Sequence, residues 1–230
     1  MKRYDCDQGS PEWFRLRLGK PTASNFHKII TPGGKPSEQS RKYLYRLVAE
    51  RLLAESFDDP LHLEWVERGK ELEPHAAARF SFQHDVELER VGFVLSDDGR
   101  LGCSPDRFIK GKLESVEIKC PAPWTHIGYL LDGPGTDYKP QVNGQLLVAE
   151  LEAVHLYSYS DRMPAHHQIS YRDKAYIKTL ARYLSDFLER LDEATERARS
   201  LGAYVANPAF TTPFDQNAPP VEPLTIVIPE

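Results

Sequence analysis

The feature that most narrows the fold of this chain is a short hairpin pattern at its centre. Arg107–Ile109 and Leu113–Lys119 read as strands, and Lys110-Gly111-Lys112 between them is a tight-turn signal. Side chains alternate along a strand, so Glu117 and Lys119 share one side while Ile118 faces the opposite packing layer. Asp106 stands just before the first run, with ten residues between it and Glu117. If the two runs pair as neighbours, two carboxylates and an ammonium converge at one sheet edge. Carboxylates at close quarters repel unless positive charge lies between them. A divalent ion with oxygen ligands meets that need, and Mg²⁺ completes such a site with water and phosphate oxygens. The Ile118 carbonyl adds a backbone oxygen beside it. The ion polarises a phosphoryl oxygen and lowers the pKa of a bound water. Lys119 is then placed to orient that water or to stabilise charge on the phosphorus oxygens. A bare Asp…Glu-x-Lys spacing also fits a solvated Glu–Lys pair on a surface hairpin.

Around the hairpin, apolar residues recur at helical spacing over about 38–56 and 61–84, the second with a kink or fresh start at Pro74. Val86–Leu95 and Leu101–Cys103 read as strands, with Asp97-Asp98-Gly99 as a turn. A helix is expected over Tyr138–Leu151, with Pro140 in its first turn. Strands follow at Val154–Ser160 and Gln168–Tyr171, then a long amphipathic helix over 172–200. The order predicts a single α/β domain over 1–230, of α+β type, with a mixed β-sheet flanked by helices and a proline-rich C-terminal segment, 201–230.

Composition sets the outer bounds. The 230 residues are 40% hydrophobic, which fills a core, and their apolar runs fall far short of a membrane helix. Cys6, Cys103 and Cys120 are too few and too scattered for a disulfide scaffold or a metal–thiolate site, and the expected compartment is a reducing cytoplasm. The net charge of −5 hides an asymmetry: residues 1–51 carry 11 Lys/Arg against 5 Asp/Glu, and the remainder 18 against 29. A basic first quarter can face phosphates, or be an unevenly charged solvated surface.

The pattern Pro105-Asp106…Glu117-Ile118-Lys119 resembles that of the PD-(D/E)XK nuclease superfamily, with its restriction-endonuclease-like core. More narrowly, the chain resembles the lambda-exonuclease-type, YqaJ-like viral recombinase nucleases. The resemblance rests on Gln8–Gly19 continuing to Thr22-Ala23-Ser24, on Gly69–Glu73, on Cys103–Asp106 and on Glu117–Pro121, with Tyr138–Asn143 as a weaker block. It implies a Mg²⁺-dependent exonuclease, with Mn²⁺ as a substitute and one or two ions per site. Such an enzyme digests one strand of linear double-stranded DNA from its 5′ end to 5′-mononucleotides. It leaves 3′ overhangs for a single-strand annealing protein, works as a homotrimeric ring, and belongs to a phage or prophage in the bacterial cytoplasm. Asp106, Glu117, the Ile118 carbonyl and Glu73 match metal ligands, and Lys119 matches the catalytic lysine. Arg17, Ser24 and Ser104 match residues that hold the 5′-phosphate, with Thr22-Ala23-Ser24-Asn25 read as a helix start. Asn143 stands where lambda-type members carry glutamine, and Gln141 is the safer supporting contact.

Three other features complete the reading. Arg41, Lys42 and Arg46 lie on one helix and can follow the DNA backbone, or form a solvated face. Trp13, Trp65 and Trp124 read as core anchors, and His166-His167 as an exposed turn rather than a metal site. Cys103 and Cys120 read as buried thiols beside the catalytic strands. An endonuclease of the same superfamily and a non-catalytic DNA-end-binding scaffold are the alternatives.

Overall fold

The computed structural model describes residues 1–57 and 64–203. The proline-rich segment beyond Ala203, the start of the helix expected over 61–84, and the side chain of Trp65 fall outside this description. In chain order the elements are β1 (Lys2–Tyr4), α1 (Pro11–Arg17), a 3₁₀ turn (Ala23–Lys28), α2 (Ser40–Leu53), α3 (Glu64–His84), β2 (Leu88–Glu89), β3 (Phe93–Leu95), β4 (Gly102–Cys103), β5 (Arg107–Ile109), β6 (Glu114–Lys119), α4 (Pro123–Asp132), α5 (Lys139–Val148), β7 (Ala153–Ser158), β8 (His166–Tyr171) and α6 (Lys174–Ser200). No helix among the described residues is long and apolar enough to cross a membrane.

The expected mixed sheet is present as β2-β5-β6-β7-β8, with β6 and β7 parallel and the other pairs antiparallel. A parallel pair needs a long crossover, which α4 and α5 supply. Alternation along β6 assigns its faces. Val116 and Ile118 pack under α3 with Ala76, Ala77 and Phe80, while Ser115 and Glu117 turn to α5. On the α5 side lies the main core, where Phe26, Leu47, Leu146, Leu180, Leu184 and Phe187 meet. Each such side chain contributes about 1.5–3 kcal/mol relative to exposure. α3 runs through Pro74 without a break, its second half held by the docking of Ala76, Ala77 and Phe80 on the sheet.

The strand expected over Val86–Leu95 is two strands in two sheets. β2 edges the large sheet, while β3 joins β1 and β4 in a separate three-stranded sheet. The break falls at Gly92, whose backbone presses on the N-terminal segment: a Cβ there would lie 2.1 Å from the Cys6 carbonyl oxygen. Glycine inside a strand pattern marks such a close approach. Gly144 on α5 has the same function. A Cβ would sit 2.5 Å from Phe26 Cδ2 and 3.0 Å from Ala23 Cβ, so glycine lets α5 settle onto the 3₁₀ turn. α4 lies in a stretch for which the sequence analysis names no element, and Pro123 opens it. Trp124 on α4 is 66% exposed and anchors no core.

His166 and His167 open β8 rather than a turn. His167 shares a sheet face with His155 and Tyr157. His155 Nε2 lies 2.9 Å from Glu114 Oε2, and its Nδ1 lies 2.9 Å from His167 Nε2, both within hydrogen-bond distance. The His84 ring, from α3, lies 4.6 Å from that of His167. Burial pushes His167 from 6.5 down to about 4, helped by the neighbouring His155, His84 and His166.

Two outcomes follow from this packing. Gly144→Ala should lower stability by about 1–3 kcal/mol through overpacking, read as a shift in the urea midpoint; an unshifted midpoint would show that α5 has room to spare. Because the unfolded chain binds more protons at His167 than the fold does, stability should decline as pH falls from 6.5 towards 4. Thermal melts of His167→Gln across that window should show a shallower decline than wild type.

Candidate active site

Pairing of β5 with β6 sets Arg107 opposite Val116 and Phe108 opposite Ser115. One step further back, that register puts Asp106 across from Glu117. Asp106 uses its position to extend the ladder with its side chain: the Ile118 amide donates to Asp106 Oδ2 at 2.6 Å. A strand residue's N–H and C=O leave by the same edge. The Ile118 carbonyl therefore points to the side on which Asp106 stands, just past the end of β5. Glu117 is 3% exposed. Its Oε1 accepts from Lys119 Nζ and from Gln141 Nε2, both at 2.6 Å, and its Oε2 accepts from Gln145 Nε2. Counting two lone pairs per oxygen, one on Oε2 is left. The Lys119 ammonium also lies 5.1 Å from the centre of the Tyr138 ring, whose hydroxyl pairs with that of Tyr129 at 2.7 Å.

Charge in this cluster is unbalanced towards acid. Desolvation, then the Glu117 and Glu73 charges, push the Asp106 carboxyl well above the usual carboxylate range against the opposing pull of Lys119. Burial alone would lower Lys119, but Glu117 and Asp106 outweigh it and hold the ammonium above an ordinary lysine. The donor set of Asp106, Glu117 and a backbone carbonyl is all oxygen, which fits a hard divalent cation. Glu73 takes part in the electrostatics but is otherwise engaged: Arg107 Nη1 donates to its Oε1 at 2.8 Å and also to the Asp106 carbonyl. Among the described residues no three His, Cys, Asp or Glu side chains close on a common point in metal-holding geometry. The acids stand as a pair, Asp106 and Glu117, with Glu73 one ion pair away.

A second cluster adjoins the first through the chain itself. Ser104, two residues before Asp106, accepts from Trp13 Nε1 at 2.9 Å. Arg17, one helical turn after Trp13 and buried, stacks its guanidinium 4.1 Å from the Trp13 ring centre. Ser24 is exposed, with its Oγ 3.3 Å from Thr22 Oγ1, and Thr22 bridges to Gly102 of β4. Ser104 is thus linked to Arg17 through Trp13, and Ser24 lies on the 3₁₀ turn that Thr22 bridges to β4. The expected helix start is a short 3₁₀ turn, and Thr22 gives it no side-chain cap because its hydroxyl faces the Asn25 amide.

These two clusters lie within a region whose relatives are recognisable. Residues 12–152 match the family model described as the YqaJ-like viral recombinase domain. The chain belongs to that family. The crystal structure of LHK-Exo, an alkaline exonuclease from Laribacter hongkongensis, superposes with a TM-score of 0.76 at 30% identity, covering 84% of this chain and 98% of that one. LHK-Exo in complex with dAMP gives 0.75 over the same shares, also at 30% identity. A phage-related exonuclease from Haemophilus somnus 129PT shares the fold at 14% identity, with a TM-score of 0.61 over 77% of this chain and 96% of that one. The mixed sheet flanked by helices is thus the PD-(D/E)XK arrangement of phage exonucleases. No protein of curated function matches the chain.

Within this YqaJ-like domain, the remaining sequence-derived residues divide. Gln141 reaches Glu117. Asn143 does not: its Nδ2 donates to the Lys139 carbonyl at 2.9 Å, and its buried Oδ1 has no partner among the described residues. Arg41 and Lys42 are exposed on α2, Arg41 donating to the Tyr45 hydroxyl at 2.8 Å. Arg46, half-buried on the same helix, lies 3.3 Å from Glu50 and over the Tyr43 ring. Cys103 is buried and Cys120 half-buried. Sequence reasoning missed Gln145 and Gln8. Gln145 is legible as the residue one turn after Gln141, on the same face. Gln8 donates to the carbonyls of Pro105 and Val91 at 3.1 and 3.3 Å, and no spacing signals it.

Gln145 also accepts from the buried Ser115 hydroxyl at 3.3 Å. Gln145→Leu would leave that hydroxyl and the Glu117 carboxylate each short of a partner. Urea unfolding should show a loss of about 1–3 kcal/mol; no loss would mean that Glu117 does not depend on the amide.

Proposed function

We propose that the chain is a Mg²⁺-dependent exonuclease. It digests one strand of linear double-stranded DNA from a 5′-phosphorylated end, releases 5′-mononucleotides and leaves 3′ overhangs for an annealing protein. The observation that carries this reading is the juxtaposition of Asp106, Glu117 and Lys119 at one strand edge, next to Ile118. Family membership and the similarity to LHK-Exo support it, and the structure of LHK-Exo with dAMP, a nucleoside monophosphate, agrees with the product.

Asp106, Glu117 and the Ile118 carbonyl are the groups that would hold Mg²⁺, or Mn²⁺ in its place, with Glu73 beside them through Arg107. When bound, the ion supplies Lewis-acid polarisation of the phosphate and a water of lowered pKa. Gln141 and Gln145 hold the Glu117 carboxylate in one orientation. Lys119, kept protonated by its carboxylate neighbours, presents positive charge to the phosphorus oxygens. Arg17, Ser24 and Ser104 grip the terminal phosphate; a dianion suits an arginine fork and hydroxyl donors. Each cut exposes a new 5′-phosphate for the same grip, which gives the reaction its polarity. Arg41 and Lys42 are placed on the exposed face of α2 to meet the duplex backbone. A homotrimeric ring, working in the cytoplasm of a phage- or prophage-bearing bacterium, completes the proposal on the family likeness.

The test is a long linear duplex with one 5′-phosphorylated end, incubated with Mg²⁺. Mononucleotides should be released from that end while a closed circular duplex stays intact. Linearisation of the circle would favour an endonuclease, and no release with either Mg²⁺ or Mn²⁺ would favour a DNA-end-binding scaffold. Lys119→Ala should slow cleavage by about 10²-fold or more with DNA affinity retained in a binding assay. Parallel losses of cleavage and affinity would contradict the assigned role.

A further inference from the structure

We infer that Tyr138 is the positioning residue for the Lys119 ammonium, its ring face serving as a second anchor beside the Glu117 carboxylate. The inference rests on the nuclease reading above, in which Lys119 presents positive charge to the phosphorus oxygens. A lysine tip is a compact charge on a flexible four-carbon stem, with much rotamer freedom to lose. Lys119 is the last residue of β6. One contact leaves such a tip free to swing about its partner, whereas two contacts of different kinds fix its place.

The two contacts make different demands. Glu117 Oε1 accepts one ammonium proton at 2.6 Å and accepts from Gln141 as well. The Tyr138 ring centre lies 5.1 Å from Nζ, inside the range over which an aromatic face attracts a cation. That attraction comes from the ring quadrupole, which is negative over the face. It is spread across the ring and claims no particular N–H. An ammonium has three donors, and among the described residues Glu117 is the acceptor that Lys119 reaches. The ring thus restrains the charge while the other donors stay available to phosphate oxygens. A third carboxylate in its place would add to the repulsion between Asp106 and Glu117. A neutral ring holds the cation without adding charge.

The ring is itself held from two helices. Tyr138 stands at the start of α5, where its carbonyl accepts from the Val142 amide at 2.9 Å and its body packs against the main core. Its hydroxyl pairs with that of Tyr129 on α4 at 2.7 Å, and the two rings meet edge to face with centres 6.2 Å apart. Residues three apart on a helix are neighbours on its surface, as Tyr138 and Gln141 are. The ring takes the lysine and the amide takes the carboxylate, so one turn of α5 sets both ends of the ion pair. α4 supplies neither the acids nor the amides, yet through Tyr129 it braces the ring that faces Lys119.

The experiment measures single-turnover cleavage of a 5′-phosphorylated linear duplex with Mg²⁺ by proteins altered at position 138. Tyr138→Phe keeps the ring face and should retain the rate to within about threefold. Successive fluorination of that phenylalanine ring weakens the quadrupole while nearly preserving its shape. The pentafluorinated ring should slow cleavage at least about fivefold relative to Tyr138→Phe, with DNA affinity unchanged in a binding assay. In a Lys119→Ala background the same fluorination should cost nothing more, because the ring acts through that ammonium. Circular dichroism and a thermal melt confirm that each protein is folded. A rate that stays level along the fluorinated series, or one that falls equally with the Lys119 ammonium removed, would overturn the role of Tyr138. Failure of the nuclease reading looks different: wild type itself would release no nucleotide with Mg²⁺ or Mn²⁺.

Discussion

A carboxylate buried in the middle strand of a sheet is the constraint on which the rest of this structure depends. Glu117 has almost no access to solvent, so the protein must replace its hydration from all sides. It does so with Lys119 from the same strand and with two amides from α5. This explains why α5 carries glutamines at Gln141 and Gln145 on its inner face. It also explains why α5 is pressed so close to the 3₁₀ turn that only glycine fits at position 144. The helix is placed by its apolar contacts with Leu146 and Val142 in the core, but its register against the sheet is fixed by one negative charge. Removing a single partner would leave that charge under-compensated, a far larger cost than the surface value of any one hydrogen bond.

The hairpin was legible in the sequence because its determinants are local. Lys110-Gly111-Lys112 dictates a turn, and period-two alternation dictates which side chains share a face, so β5, β6 and the grouping of Glu117 with Lys119 follow without tertiary information. The long helices were legible for the same reason. The division of Val86–Leu95 between two sheets was not, since it depends on what presses against Gly92, a residue some 86 positions away in the chain at Cys6. The roles of Gln8 and Trp13 share that difficulty: each acts on the segment Ser104-Pro105 across more than 90 residues. Arg46 shows the converse problem. Its position on α2 beside Arg41 and Lys42 suggests a basic stripe, and Glu50 one turn further on pairs with it along the same helix. Charge periodicity alone cannot distinguish a cation facing solvent from one paired along its own helix.

The histidines of β8 mark another boundary. His166-His167 after Pro164 has the composition of a turn, and only the pairing of β8 with β7 shows that His167 belongs to a face already occupied by His155 and Tyr157. Once there, His167 is surrounded by His155, His84 and His166, which oppose its protonation, while Glu114 beyond His155 accepts from that ring. The cluster lies on the α3 side of the sheet, whereas Glu117 and Lys119 face α5. The sheet therefore separates this imidazole cluster from the acidic pair.

The distance between the two clusters bears on the product. Ser104 and Asp106 are two residues apart, and two residues of chain span at most ~7 Å. Trp13 fixes the first and the Ile118 amide fixes the second, while Gln8 holds the carbonyl of Pro105 between them. The interval is thus pinned at three points by groups from separate parts of the chain. On the proposed reading, a terminal phosphate gripped at Ser104 would bring a neighbouring linkage of the strand to the Asp106–Glu117 edge. A short interval fixed in this way fits the release of single nucleotides proposed above.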